Sequence, residues 1–138
     1  MAPALAGRVL ALRDGKTSVI RAGNLDVRRD FGDVRDVVRA YRLLLEALVE
    51  GRIPSEKPVY NVATGRSVPI RELVEILCRL AGVEMATEVD PALVRADDPP
   101  DIRGDSSALR ELTGWRPAIA LEASLADLLE SLETSPAS

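Results

Sequence analysis

The stretch GNLDVRRDF, residues 23–31, places two adjacent arginines between two aspartates at the end of an apolar run. Two interpretations of this cluster are open. The charges of Asp26, Arg28, Arg29 and Asp30 can neutralise one another on a solvated surface, where an exposed ion pair contributes at most about 1 kcal/mol. Alternatively, the guanidinium groups can hold an anion such as a diphosphate, because their planar donors match phosphate oxygens in pairs. The rest of the chain has to decide between them.

The sequence has few of the residues that common catalytic mechanisms require. The chain has no histidine, so it cannot form a Ser-His-Asp or Cys-His pair, and it lacks the commonest general base near neutral pH. Lys16 and Lys57, the only lysines, neither follow a tyrosine by four residues nor lie in a glycine-rich phosphate loop. The single cysteine, Cys78, excludes an intrachain disulfide and a zinc site of the cysteine and histidine type. Any catalysis must rest on carboxylates, arginines or tyrosines.

Length and charge limit the class of protein further. The 138 residues, 46% of them apolar, suffice for one ordinary domain with a hydrophobic core. The net charge is −4 and the basic residues are spread along the chain, so we expect neither nucleic acid nor a membrane surface as a partner. No apolar stretch approaches 18 residues and no secretory signal is recognisable, which predicts a cytoplasmic location.

Hydrophobic periodicity predicts alternating strands and helices. A short helix is predicted at residues 3–14, a strand at 17–21, and a buried strand at VYNVAT, residues 59–64. A long amphipathic helix is predicted to begin after Asp33 and to end at Gly51. Its expected apolar face comprises Val34, Val37, Val38, Tyr41, Leu44, Leu45 and Leu48. A second helix is expected to bury Ile70, Leu73, Val74, Leu77 and Leu80 and to end at Gly82.

The remainder of the predicted chain is a short extended piece, a loop and two helices. The extended piece covers residues 87–89, and a loop rich in proline and aspartate follows it. Asp105 is placed to cap a short helix that reaches Thr113, and the last helix carries leucines from Leu121 to Leu132. This order is typical of the α/β class. Three short strands cannot cover so many apolar helix faces, so we expect the chain to be part of something larger.

Four blocks of sequence, in this order, resemble the C-terminal half of GDP-mannose 4,6-dehydratase and of the similar GDP-6-deoxy-mannose reductases. They are GNLDVRRDFGDVRDVVRAYRLLLE, VYNVATGRSVPIRELVEIL, VDPALVRADDPPDIRGD and LRELTGWRPAIALEASLADLLE. Both are sugar-nucleotide enzymes of the extended short-chain dehydrogenase/reductase superfamily. The motif RRDF followed by DVRDVV is more similar to the reductases, although the dehydratases have the same blocks in the same order. The resemblance implies a partial Rossmann-type fold, the C-terminal substrate-binding portion of such an enzyme.

The resemblance also implies which residues bind substrate. In relatives the arginine of the RDF block reaches the nucleotide diphosphate, which assigns that role to Arg29, and Asn24 lies near the same pocket. The arginine after DPxxx contacts the diphosphate from the other side and corresponds to Arg95, although relatives have proline where this chain has Ala96. An acidic residue three positions later binds the ribose. It aligns with Asp98, and the neighbouring Asp97 is the alternative.

The cofactor site of these relatives belongs to the half that precedes the matched blocks. Relatives carry there a glycine-rich dinucleotide loop and a catalytic tyrosine with a lysine four residues later, and neither motif occurs in this sequence. We therefore expect residues 1–133 to form a sugar-nucleotide-binding portion, with residues 134–138 as a disordered tail. This chain alone is expected to bind no cofactor and to provide no catalytic residue, whereas NAD(P) is expected in full-length relatives.

Three functions fit these expectations. The chain can be a fragment of a GDP-sugar dehydratase or 4-keto reductase that is inactive alone, a subunit of a split enzyme, or a non-catalytic binding or scaffolding remnant. Its expected partners are a GDP-sugar and either a cofactor-binding half or a second copy, the latter through exposed apolar helix faces.

Overall fold

A computed structural model describes residues 1–56, 59–94 and 97–134. The chain divides into two compact units. The first is formed by Met1–Arg28, Val68–Pro100 and Glu122–Ser138, and the second by Arg29–Ser67 and Asp101–Leu121. The helices are α1 (Ala2–Arg13), α2 (Val34–Val49), α3 (Ile70–Ala81), α4 (Ser107–Thr113) and α5 (Leu121–Thr134). The strands are β1 (Ile20–Ala22), β2 (Arg28–Asp30), β3 (Ser67–Pro69), β4 (Thr87–Val89) and β5 (Asp101–Ile102).

The first unit packs helices α1 and α3 with a short parallel strand pair. β1 and β4 pair with Ile20 opposite Thr87 and Ala22 opposite Val89, so the first strand lies slightly later than the predicted residues 17–21. The predicted inner face of α3 is confirmed for Ile70, Leu73, Val74 and Leu77, whereas Leu80 is only half-buried. The fully buried side chains of this face join those of α1 and β1 in the core. The largest of them are Val9, Ile20, Leu73, Val74 and Leu77.

Helix α3 ends at Gly82, as the sequence predicts, and an ion pair that was not predicted joins its exposed face to α5. Gly82 follows the helix in the left-handed conformation, with φ of +72°, which side chains with a Cβ rarely adopt. On the exposed face, Arg79 and Glu122 form an ion pair of 2.6 Å. This guanidinium lowers the pKa of the Glu122 carboxyl.

The second unit has a small core between α2 and α4. Ala40, Leu109 and Trp115 are buried together, and Leu44 and Tyr60 pack against them. The predicted limits of α2 are confirmed, since Asp33 caps its first turn by accepting from the Arg35 amide at 2.8 Å. Asp105 also acts at a helix start as predicted. Its Oδ1 accepts from the Ser107 amide at 2.8 Å, and this hydrogen bond lowers the pKa of Asp105.

The apolar face that the sequence predicts for α2 is mostly exposed. The side chains of α2 that are buried are Asp36, Ala40 and Ala47, whereas Val38 and Leu45 are 59% and 61% exposed. The reason is tertiary: the small side chain of Ala40 is buried with Leu109 and Trp115, and Asp36 has backbone partners at Ala118 and Ile119. The larger side chains therefore remain on the outer face. They are Val34, Val38, Tyr41, Leu45, Leu48 and Val49.

The predicted buried strand at residues 59–64 is also wrong. These residues form no strand, and Val59 is 77% exposed. A strand is defined by hydrogen bonds to a neighbour, and in the described chain no backbone-to-backbone bond joins residues 59–63 to another segment. The β-branched composition is typical of a strand, but the neighbouring strand is lacking in the part of the chain that the structure describes.

No helix among the described residues combines the length and the apolar character that crossing a membrane requires.

Candidate functional site

Two segments of the first unit run side by side after the ends of β1 and β4. The Asp90 amide donates to the Ala22 carbonyl at 2.8 Å, and the Arg28 amide donates to the Pro100 carbonyl at 2.8 Å. Asn24 lies on one of these segments and Asp98 on the other. The first unit therefore brings together the two stretches of sequence that carry Asn24 and Asp98.

Gly23 allows this close approach. A Cβ atom at this position would lie 2.5 Å from the Leu93 carbonyl oxygen, so any larger residue would push the two segments apart. The next residue, Asn24, accepts a hydrogen bond of 2.9 Å from the Asp26 amide through Oδ1, which forms an Asx turn. The Asn24 side chain is exposed and that of Asp98 is half-buried. Asn24 thus directly follows the glycine contact, and Asp98 lies five residues after Leu93 on the other segment.

Arg95 lies outside the described residues, in the gap between Val94 and Asp97 on the second of these segments. Its assignment to the diphosphate stays a prediction.

Arg29 belongs to the second unit, where it is the central residue of β2 and is half-buried. Side chains alternate between the two faces of a strand, so Arg29 points to the face opposite that of Asp30. The structure describes Arg29 in a different unit from Asn24 and Asp98, and the convergence of these residues on one ligand stays a prediction.

Asp30 fixes this strand, a role that sequence reasoning missed. Its carboxylate accepts from the amides of Thr64, Gly65 and Gly104 at 3.1, 3.0 and 3.2 Å, and from the Thr64 hydroxyl. Three backbone amides directed at one carboxylate form a strong, charge-assisted network. Gly104 is required there, because a Cβ atom would lie 2.3 Å from the Cβ of Ala63. Asp30 is therefore a positioning residue for β2 and for its neighbour Arg29.

Trp115 and three carboxylates line a cavity of about 300 Å³ in the second unit. The carboxylates belong to Asp30, Asp33 and Asp36. Asp36 is 3% exposed, accepts from the Ala118 and Ile119 amides at 3.0 and 3.1 Å, and lies 2.9 Å from an Arg39 nitrogen. Three acidic groups repel a doubly charged diphosphate, so this cavity does not suit the predicted ligand.

A second recess of the same unit, of about 350 Å³, has a different character. Arg103 and Arg110 line it together with Asp105 and Ser106. Sequence reasoning gave these arginines no role. Because they could also attract a phosphate, they provide the matched control for any test of the predicted clamp.

Among residues 1–56, 59–94 and 97–134, no three cysteine, aspartate or glutamate side chains lie in a group that could hold a metal ion.

The family model described as GDP-mannose 4,6 dehydratase matches residues 4–128. The chain belongs to this family. A curated relative, GDP-6-deoxy-D-mannose reductase of Pseudomonas aeruginosa, is 39% identical over 115 residues, which are 83% of this chain and 36% of the relative. GDP-mannose 4,6 dehydratase 1 of Arabidopsis thaliana is 28% identical over 114 residues, 80% of this chain and 29% of the relative. The chain thus spans about a third of the length of these relatives.

Solved structures confirm the fold class. The structure of RMD from Pseudomonas aeruginosa in complex with NADPH superposes with a TM-score of 0.82 and 34% identity, covering 97% of this chain and 43% of the other. A UDP-glucose 4-epimerase structure, 24% identical, has a TM-score of 0.76 and shows the fold alone. The predicted resemblance, an α/β portion of an extended short-chain dehydrogenase/reductase, is confirmed, and the Pseudomonas aeruginosa structure contains the nicotinamide cofactor NADPH.

Proposed function

We propose that the chain is the substrate-binding portion of a GDP-sugar dehydratase or 4-keto reductase and holds the nucleotide of its substrate. The observation that supports this proposal is a pair of backbone hydrogen bonds, from Asp90 to Ala22 and from Arg28 to Pro100, which join the two parts of the first unit that carry Asn24 and Asp98. The names of the relatives supply the substrate class, because both the matched family and the Pseudomonas aeruginosa protein are named for GDP-sugars.

Each proposed residue has a chemical role that suits its type. Arg29 and Arg95 bind the diphosphate from separate parts of the chain, since a guanidinium donates two parallel hydrogen bonds to phosphate oxygens. Asp98 accepts from the ribose hydroxyls, and Asn24 adds a polar group near the same pocket. Asp30 holds β2 through Thr64 and Gly104, so Arg29 starts from a fixed backbone. Such preorganisation reduces the entropy lost on binding.

The nicotinamide chemistry of the family requires residues that this chain does not have. A dinucleotide is bound in Rossmann folds by a glycine-rich turn at a helix start, and the 138 residues contain no such motif. We infer that a cofactor-binding half must join this chain before a hydride can move, either within one polypeptide or as a separate subunit. The exposed apolar face of α2 supports an assembled state over a self-sufficient one.

Calorimetric titration of GDP into the chain tests the nucleotide site. We expect weak binding that is lost when Arg29 and Arg95 are both replaced by alanine, because a charge-assisted hydrogen bond contributes about 1.5–3 kcal/mol. The matched control replaces Arg103 and Arg110 by alanine and should leave binding unchanged. Binding that survives the first pair of substitutions and disappears with the second would place the anion in the recess near Ser106 and overturn the proposal.

A further inference from the structure

The recess near Ser106 contains two arginine side chains that the fold of the second unit does not use. The Arg103 side chain forms no hydrogen bond and no ion pair with any residue that the structure describes. The Arg110 side chain interacts electrostatically with the Asp105 carboxylate. Both arginines are exposed, and both line the recess of about 350 Å³. Their guanidinium groups therefore keep donors for a ligand in this recess.

Ser106 adds a buried hydroxyl to the same recess. The residue is 6% exposed, lines the recess and directly precedes α4. A serine in this position normally caps the helix, but the Ser106 side chain forms no capping hydrogen bond, since Asp105 accepts from the Ser107 amide instead. No other described residue bonds to this hydroxyl. Because buried hydroxyl groups in proteins almost always have a partner, the hydroxyl is available to a ligand.

The walls of the recess are held in place by Asp30. Thr64, Gly65 and Gly104 line the recess, and their amides donate to the Asp30 carboxylate at 3.1, 3.0 and 3.2 Å. These three donors compensate the charge of Asp30. Among the side chains that line the recess, two guanidinium groups then face one carboxylate, that of Asp105, which leaves one excess positive charge. Fixed walls also reduce the entropy lost when a ligand binds.

We propose that this recess binds a phosphate group and is separate from the nucleotide site proposed above. A tetrahedral oxyanion can accept from two guanidinium groups and from a hydroxyl, because its oxygens point in different directions. One excess positive charge suits a single phosphate group, whereas the diphosphate of GDP carries more negative charge and is repelled by Asp105. The recess is larger than a phosphate ion, so the group can belong to free phosphate or to a small phosphomonoester.

Thermal unfolding in inorganic phosphate tests the site, with sodium chloride of equal ionic strength as the reference. We expect a dissociation constant of about 1 mM, so 20 mM phosphate should raise the melting temperature by at least about 3 °C. Arg103→Ala and Arg110→Ala should each remove most of this rise. In calorimetry, each should weaken phosphate binding about tenfold, as expected for the loss of a charge-assisted hydrogen bond.

Ser106→Ala separates a ligand-binding hydroxyl from a structural one. It should leave the melting temperature in sodium chloride within about 2 °C, because the hydroxyl does not cap α4. It should nevertheless weaken phosphate binding at least about threefold, because the oxyanion loses a donor. A purely structural serine would lower the melting temperature equally in both salts, which would contradict the proposal.

Two further variants are controls. Arg42→Ala removes one positive charge from the exposed surface of α2, outside the recess, and should leave the phosphate effect unchanged. Arg29→Ala should also leave it unchanged, which separates this site from the proposed nucleotide site. Glycerol 3-phosphate distinguishes the two sources of the group. Tighter binding than that of inorganic phosphate identifies a phosphomonoester as the ligand, and equal or weaker binding identifies free phosphate.

The proposal is overturned if phosphate and chloride stabilise the wild-type chain equally. It is also overturned if Arg42→Ala reduces the phosphate effect as much as Arg103→Ala does, since the effect is then one of overall charge. Loss of the phosphate effect in Arg29→Ala, with Arg103→Ala unaffected, would place the anion at the proposed nucleotide site instead.

Discussion

Replacing Asp36 by alanine should destabilise the protein more than any other single carboxylate change on α2. Asp36 is buried and accepts from the Ala118 and Ile119 amides at 3.0 and 3.1 Å. Alanine leaves both amides without their acceptor, at about 1–3 kcal/mol each, and Arg39 loses its ion-pair partner. Allowing for water that enters the gap, we expect a loss of about 3 kcal/mol in the free energy of unfolding. That is a large share of the roughly 5–15 kcal/mol that stabilises an ordinary domain.

The assay is urea unfolding followed by the fluorescence of Trp115, the only tryptophan, which is buried beside Asp36. Its ring nitrogen donates to the Asp36 backbone carbonyl at 2.9 Å, a contact that the substitution keeps. Glu46→Ala is the matched control, because Glu46 is exposed on the same helix and forms an ion pair with Arg42 at the surface. The control should lose no more than about 0.5 kcal/mol. If both variants unfold at the same urea concentration, the buried network does not stabilise the second unit as argued.

Three further predictions test other parts of the molecule. Gly104→Ala should lower the free energy of unfolding by about 2 kcal/mol, because the new Cβ would lie 2.3 Å from the Cβ of Ala63. Gly7→Ala is the control on α1, where the new Cβ meets no other atom, and it should raise the free energy of unfolding by about 0.5–1 kcal/mol. Equal urea midpoints for the two variants would contradict the contact between Gly104 and Ala63. Arg79 holds the pKa of Glu122 below its ordinary 4.5. Wild type should therefore be more stable than Glu122→Gln at pH 6, and this difference should disappear as the pH falls through the lowered pKa. A difference in urea midpoint that does not change with pH would refute the prediction. Burial raises the pKa of the Cys78 thiol, so thiol reagents should label it only as fast as the protein opens, and rapid labelling of folded protein at pH 8 would show that α3 does not bury it.

The helices were predictable because their signals are local. Asp33 and Gly82 mark a beginning and an end through interactions within a few residues, and the structure confirms both. The buried face of α2 was not predictable in this way. Periodicity identifies an apolar stripe but not what covers it, and the described chain packs the alanine face inward while Leu45 stays outside. The predicted strand at residues 59–64 failed for the same reason, since strand formation depends on a neighbour elsewhere.

The role of Asp30 depends on contacts that are remote in sequence. Its donors are 34 residues away at Thr64 and 74 residues away at Gly104, so no local pattern distinguishes it from an exposed aspartate in a charged cluster. The assignment of Arg29 came instead from the resemblance to a family, which the comparisons confirm while its binding role stays a prediction.

Calorimetric titration of GDP tests the central claim most directly. It compares the chain alone with a joined protein, in which the part of the Pseudomonas aeruginosa reductase that precedes the matched region is fused to the start of this chain. We expect the joined protein to bind GDP at least tenfold more tightly than the chain alone, because the cofactor-binding half completes the pocket. Arg29→Ala should then weaken binding at least tenfold, as expected for the loss of a charge-assisted hydrogen bond of at least about 1.4 kcal/mol. A joined, folded protein that binds no GDP, or that binds it equally well without the Arg29 guanidinium, would contradict the account.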